Sequence, residues 1–243
     1  QHGGQSVPNF DYAMALGVKK SYRKAVISNL VKVLGLMSKD PVTKDEIKYL
    51  LHEVEHHQGI ECRMNNADFK NALLGELNKK YASKVDNLDN CLNKCLEFAL
   101  AETREETLQA MEALVHNLNT MHSRAGAQVP FSSLNYGTDT SDEGRMVVDC
   151  LLDATISGLG RGETPIFPIQ IFKVKDGLNY NPGEPNYDLY KKALKCSGLR
   201  LFPNFSFIDA PMNLPYYKPG NYDTEVAYMG CRTRVVANVD KEQ

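Results

Sequence analysis

The stretch that decides the fold is TPIFPIQIFKV, residues 164 to 174, a short apolar and β-branched run that opens on prolines and is flanked by glycines. Its length and composition fit a strand better than a helix, and apolar side chains at successive positions suit a strand buried on both faces, as in a parallel sheet. Three further runs have the same texture: AQVPFSSLNYG (127 to 137), LRLFPNFSFIDA (199 to 210) and EVAYMGCRTRVV (225 to 236). Pro130, Pro168 and Pro203 lie inside these runs, where a residue without an N–H implies a bulge or a strand end. Between the runs, GRMVVDCLLDATISGLG (144 to 160) and NYDLYKKALKCSG (186 to 198) carry helical periodicity. Strand and helix alternate, so an α/β architecture is expected from residue 122 to 243.

Working back toward the start, residues 8 to about 121 are rich in helix formers with apolar residues at helical spacing, as in Leu88, Leu92, Cys95, Leu96, Ala99 and Leu100, then Leu108, Met111, Leu114, Val115 and Leu118. Residues 1 to 121 are therefore expected as a mainly helical region. Thr43 before Asp45 and Glu46 is a helix start signal, and Pro41 and Gly59 bracket a helix of about 15 residues. No repeat or low-complexity tract interrupts the pattern.

Of the 243 residues, 42% are hydrophobic and 24% charged, within the ordinary range for a folded water-soluble chain. The formal net charge is -2 with both signs interleaved, so no global positive field points to a nucleic-acid partner. No apolar stretch reaches membrane-spanning length and the chain opens without a signal-peptide pattern, so a cytoplasmic protein with no membrane partner is expected. Six cysteines spread through a mid-sized chain read as reduced thiols. The sequence starts without Met at QHGGQS and ends at VDKEQ, and is expected to be a segment of a longer polypeptide.

Several motifs compete for chemistry. His52-Glu53-Val54-Glu55-His56 matches the HExxH spacing of zinc proteases, which sets two imidazoles on one helical face. Its polar surroundings, the adjoining His57 and the lack of a distinctive third-ligand motif make a solvated helix face without metal the expectation. Cys91 and Cys95 stand at i and i+4, the spacing of plain core packing, and Cys150 and Cys196 fall on apolar helix faces. Cys231 differs, because in Met229-Gly230-Cys231-Arg232-Thr233-Arg234 a glycine permits a tight backbone and two arginines can bind anions or lower a thiol pKa. The pattern alone leaves an ordinary loop cysteine open.

The strings HNLNTMHSRAGAQVPFSSLNYGTDTS (116 to 141), GLGRGETPIFPIQIFKVKDGLNYNPGEPNYDLY (158 to 190), LFPNFSFIDAP (201 to 211) and MGCRTR (229 to 234), with HGGQSVPNFDYAMALGVKKSYRKAV (2 to 26), resemble the anaerobic, class III ribonucleotide reductases, in order along nearly the whole chain. The least distinctive part is 27 to 105. The resemblance implies a ten-stranded α/β barrel threaded by a finger loop, with residues 122 to 243 a barrel segment carrying that loop and 1 to 121 on the dimer and effector side. MGCRTR is similar to the loop tip, which makes Cys231 the catalytic residue that carries a transient thiyl radical. A thiyl sulfur can take the ribose 3′ hydrogen atom without a net charge appearing, which an acid or base cannot do, while enclosure shields the radical.

By the same resemblance the substrates are ribonucleoside triphosphates and the reductant is formate. The partners implied are a radical-SAM activating protein and a second copy of the chain in a homodimer, with dNTP or ATP effectors. The glycyl radical and the zinc site of the family fall outside residues 1 to 243, as do the second active-site cysteine and the asparagine beyond the finger loop, so the isolated chain is expected to be inactive. Expected substrate contacts are Ser132, Ser133, Gly137 and Thr138 at a strand end, with Met229, Gly230, Arg232 and Thr233 around the cysteine. Gly3, Gly4 and Gln5 are expected effector contacts. Two other readings stand beside this one. The chain could serve as a nucleotide-binding and dimerisation module, or belong to another glycyl-radical enzyme such as a formate acetyltransferase relative, although those carry paired cysteines and Cys231 has no adjacent Cys.

Overall fold

A computed structural model of the chain describes residues 4–38, 40–122, 128–230 and 233–236. In chain order the strands are β1 (Gly4–Val7), β2 (Phe131–Tyr136), β3 (Ile169–Val174), β4 (Asn204–Phe207), β5 (Ala227–Met229) and β6 (Thr233–Val235). The α-helices are α1 (Phe10–Ser38), α2 (Lys44–His52), α3 (Ala67–Tyr81), α4 (Leu88–Thr120), α5 (Asp142–Ser157) and α6 (Tyr187–Arg200). None of the helices among the described residues is long and apolar enough to cross a membrane.

Two compact units emerge, Leu16–Glu106 and the remainder, Gln1–Ala15 with Thr107–Gln243. The division differs from the boundary expected at residue 121. β1 joins the later unit because its backbone pairs with β2 across more than a hundred residues, a partnership that helical periodicity in the intervening chain cannot announce.

The helical unit is held by apolar side chains at i, i+3 and i+4 spacing. Leu30 and Leu34 of α1, Leu51 of α2, Phe69, Leu73 and Leu77 of α3, and Leu92, Cys95 and Ala99 of α4 are all buried. Burying a side chain of leucine or phenylalanine size stabilises by about 1.5–3 kcal/mol before entropy is counted. Thr43 starts α2 with a capping box, in which its hydroxyl accepts from the Glu46 N–H and its own N–H donates to the Glu46 carboxylate. The expected helix between Pro41 and Gly59 is present, but its last turn, Glu53–His57, is a π turn.

In the other unit β1, β2, β3 and β4 lie side by side, all parallel, with α5 between β2 and β3 and α6 between β3 and β4. The α/β expectation holds. Pro130, Pro168 and Pro203 each stand one residue before a strand, where the missing N–H costs no ladder bond. Every residue of β3 is buried. Behind the sheet, Tyr136 and Phe172 pack with the apolar faces of α5 and α6, including Leu151, Cys150, Ala193 and Cys196. The Tyr136 hydroxyl donates to Gln170 at 2.6 Å and Gln170 donates to Thr155 of α5 at 2.8 Å, which links these three polar side chains within that layer.

Candidate active site

Parallel register fixes which side chains share the face turned away from α5 and α6. Ser6 aligns with Ser133 and Ile169, Asn135 with Ile171 and Asn204, and Lys173 with Ser206. Alternation along each strand therefore gathers Ser6, Ser133, Asn135, Lys173, Asn204 and Ser206 on one polar face. The chain folds back over this face and supplies partners for Ser6, Ser133, Asn135 and Lys173, whereas the Ser206 hydroxyl is buried without a hydrogen-bond partner among the described residues.

Residues 225 to 230 run across that face, opposite in direction to β2. Tyr228 meets Asn135 through both backbone groups: its N–H donates to Oδ1 at 2.8 Å and its carbonyl accepts from Nδ2 at 2.9 Å. Ser6 donates to the same carbonyl at 2.7 Å. Two residues on, the Gly230 N–H donates to Ser133 Oγ at 2.7 Å. Gly230 has φ +66, in the region that glycine enters without a Cβ penalty, and turns β5 toward β6. Arg234 of β6 donates to the Met212 carbonyl at 2.8 Å and lies over the Tyr216 ring at 5.4 Å, so its guanidinium is anchored to a neighbouring loop.

At the C-terminal ends of the strands the chain builds a second polar layer. One carboxylate oxygen of Asp11 accepts from the backbone N–H groups of Gly137, Thr138 and Asp139 at 2.8, 3.1 and 3.1 Å. Successive amides aimed at one point form an anion site, and here the protein fills it with its own carboxylate. The Lys173 ammonium, fully buried, donates to Glu225 at 2.7 Å and to Asn9 at 2.6 Å, while the Thr138 hydroxyl donates to the same Glu225 oxygen. Tyr12 stacks on Tyr222 with ring centroids 4.1 Å apart, and burial beside Glu225 pushes its hydroxyl pKa upward. Thr138, Tyr12, Tyr217, Tyr222 and Glu225 border a cleft of about 210 Å³. Clefts at the carboxyl ends of parallel strands are where α/β proteins bind ligands.

The expected site residues divide accordingly. Ser133, Met229, Gly230 and Thr233 are brought together where the β5–β6 hairpin meets the sheet. Thr138 lines the cleft and Gly137 sits beside it, with its carbonyl bonded by Asn179 and Asn186. Ser132 is adjacent to Ser133 and so faces the opposite side of the sheet, where its hydroxyl is buried without a hydrogen-bond partner among the described residues. Gly4 and Gln5 belong to β1. Cys231, Arg232 and Gly3 lie outside the described residues. The other five cysteines are buried, and burial raises the thiols of Cys95 and Cys196 to about 11, which leaves them poor nucleophiles at neutral pH.

Asn135, Asp11 and the Lys173–Glu225 pair escaped the sequence reading. One signal was available: Lys173 is the sole charge in IQIFKV, and a charge inside a strand buried on both faces requires a buried partner.

The family described as anaerobic ribonucleoside-triphosphate reductase matches residues 1–243. Proteins of that name from Escherichia coli K12 and Haemophilus influenzae are each 34% identical, over 137 and 145 residues, covering 56% and 59% of this chain. The protein of the same name from phage T4 is 31% identical over 183 residues, 74% of this chain. The aligned parts span 18%, 19% and 29% of those three relatives, so the chain corresponds to a minor part of each. With a family match along its entire length, the chain belongs to the anaerobic ribonucleoside-triphosphate reductase family.

Proposed function

We propose that these residues supply the radical-carrying loop and part of the substrate face of an enzyme that reduces ribonucleoside triphosphates to deoxyribonucleoside triphosphates. The observation that carries the reading is the segment 225 to 230, pinned along a polar sheet face by Ser6, Asn135 and Ser133 and leading directly into Cys231. In this reading β1 to β4 are part of a ten-stranded α/β barrel and the β5–β6 hairpin is the base of its finger loop.

Cys231 acts by hydrogen-atom transfer: its thiyl sulfur forms an S–H bond as the ribose C3′–H bond breaks, with one electron and one proton moving together. A glycyl radical, generated on another segment by a radical-SAM partner, oxidises Cys231 and is regenerated at the end of the cycle, while formate supplies the two electrons of the net reduction, leaving as carbon dioxide as the 2′ hydroxyl leaves as water. Ser133, Met229, Gly230, Arg232 and Thr233 border the reacting sugar, Ser132 supports that strand from behind, and Gly137 and Thr138 border the cleft at the strand ends. Their contribution is to orient the nucleotide and exclude water. An effector nucleotide at Gly3, Gly4 and Gln5 would act on β2 directly, because β1 is bonded along it. A homodimer in the cytoplasm completes the proposal.

Replacing Cys231 by Ser in the activated enzyme tests it. Nucleotide reduction should be abolished, because a hydroxyl O–H bond is too strong for the glycyl radical to oxidise, while the glycyl-radical signal in EPR persists. Turnover near the wild-type rate would remove Cys231 from the mechanism.

A further inference from the structure

The histidine-rich turn HEVEHH, residues 52 to 57, is geometrically unlike the helical motif it matches in sequence. In a regular α-helix residues i and i+4 share a face, whereas i+5 points away. Here Glu53–His57 forms a π turn, which closes over five residues and swings His57 back toward His52. Donor atoms of His52, Glu53 and His57 consequently lie within 4.8 Å of one another. His57 Nε2 is 3.6 Å from Glu53 Oε1, and the His52 and His57 rings approach edge to face at 6.3 Å. His56, the partner expected from the HExxH spacing, stacks on His52 at 4.2 Å and is not in the donor cluster. Glu55 is taken by Arg23, which binds it through Nε and Nη2 at 3.0 and 2.8 Å.

We propose that His52, Glu53 and His57 bind a borderline divalent cation of the zinc type on the helical unit. Two imidazole nitrogens and one carboxylate oxygen suit that class, with water in the fourth position, whereas calcium and magnesium would demand more oxygen ligands. Bonds of about 2.0–2.2 Å in a tetrahedron set donors roughly 3.5 Å apart, so closure asks the side chains to move by about 1 Å. Exposed histidines can do so; the His57 side chain is 68% exposed. The Glu53 side chain is 28% exposed, so it too can be approached from solvent. The site is not that of a zinc protease, because Glu53 serves as a ligand rather than a base.

The test is a zinc titration of the 243-residue chain, stripped with a chelator and followed by competition with a fluorescent zinc indicator. One equivalent should bind saturably. His57→Ala and Glu53→Gln should each weaken it by about 10-fold or more, and His56→Ala by less than about 3-fold. Circular dichroism should show all three variants folded, since the substitutions are at or near the surface. Three outcomes would overturn the proposal: no saturable binding, equal losses from His56→Ala and His57→Ala, or undiminished binding in His57→Ala, which would place the metal on other donors such as thiols.

Discussion

Lys173 and Glu225 form an ion pair at 2.7 Å with side chains 0% and 3% exposed, tying the end of β3 to the segment that enters the β5–β6 hairpin. Neither charge has solvent to fall back on. The ammonium also reaches Asn9 and the carboxylate also accepts from Thr138, so the remaining bonding capacity is largely met inside the protein. The pair thus couples strand, hairpin and cleft in one network.

Removing one partner should be costly and removing both much less so. Glu225→Gln leaves the Lys173 ammonium uncompensated and should destabilise the α/β unit by about 3–5 kcal/mol, whereas the double change Lys173→Met with Glu225→Leu should recover most of the loss. Urea denaturation followed by tyrosine fluorescence reads both. Equal losses in the single and double variants would show that the network is held by something other than this pair.

Asn135 should hold the hairpin in place. Asn135→Ala leaves the Tyr228 N–H without its side-chain partner and the Tyr228 carbonyl with Ser6 alone, in a part-buried setting, at an expected cost of about 1–3 kcal/mol. Amide exchange at Tyr228 and Gly230 should accelerate while exchange in α5 and α6 stays slow. In the activated enzyme turnover should fall with the glycyl radical intact. Unchanged exchange at Tyr228 would deny Asn135 this positioning role.

The buried thiols make a prediction about alkaline pH. Burial raises the Cys196 pKa from 9.0 to about 11, so the folded state keeps its proton where the unfolded state has lost it. The stability this contributes is fully present below the unfolded pKa and is lost as pH climbs through about 11. Stability should decline between those limits, and the decline should be shallower in Cys196→Ala, after allowing for its lower starting stability. At pH 8 alkylation of Cys196 in the folded chain should be at least about 100-fold slower than in the unfolded chain, since two pKa units remove that much thiolate. Comparable rates in the two states would refute the shift.

The alternation of strand and helix from residue 131 onward was legible because it rests on local chemistry. Apolar runs too short for helices, prolines at their starts and periodic segments between them are all properties of neighbouring residues. Cys231 stood out through the residues around it and through resemblance, not through spacing. The π turn was hidden, because HEVEHH has the composition of an ordinary helix end and its widened turn is a backbone choice that no side-chain pattern in the segment marks.

By itself, then, the sequence determined β2 to β4, the helices between them and the family, but not β1, which lies in the region expected as mainly helical, nor the split of residues 225 to 236 into the antiparallel β5 and β6. Tertiary structure alone decided which residues meet: β1 with β2, Asn135 with Tyr228, Asp11 with the amides after β2, and Lys173 with Glu225. It also separated Ser132 from Ser133, since register and pleat send neighbours to opposite faces. The physical reason is range. Propensity and periodicity act over a few residues, while a buried charge or an unpaired backbone group can be satisfied by any part of the chain that folding brings near, and the partners here are 52 to 128 residues away.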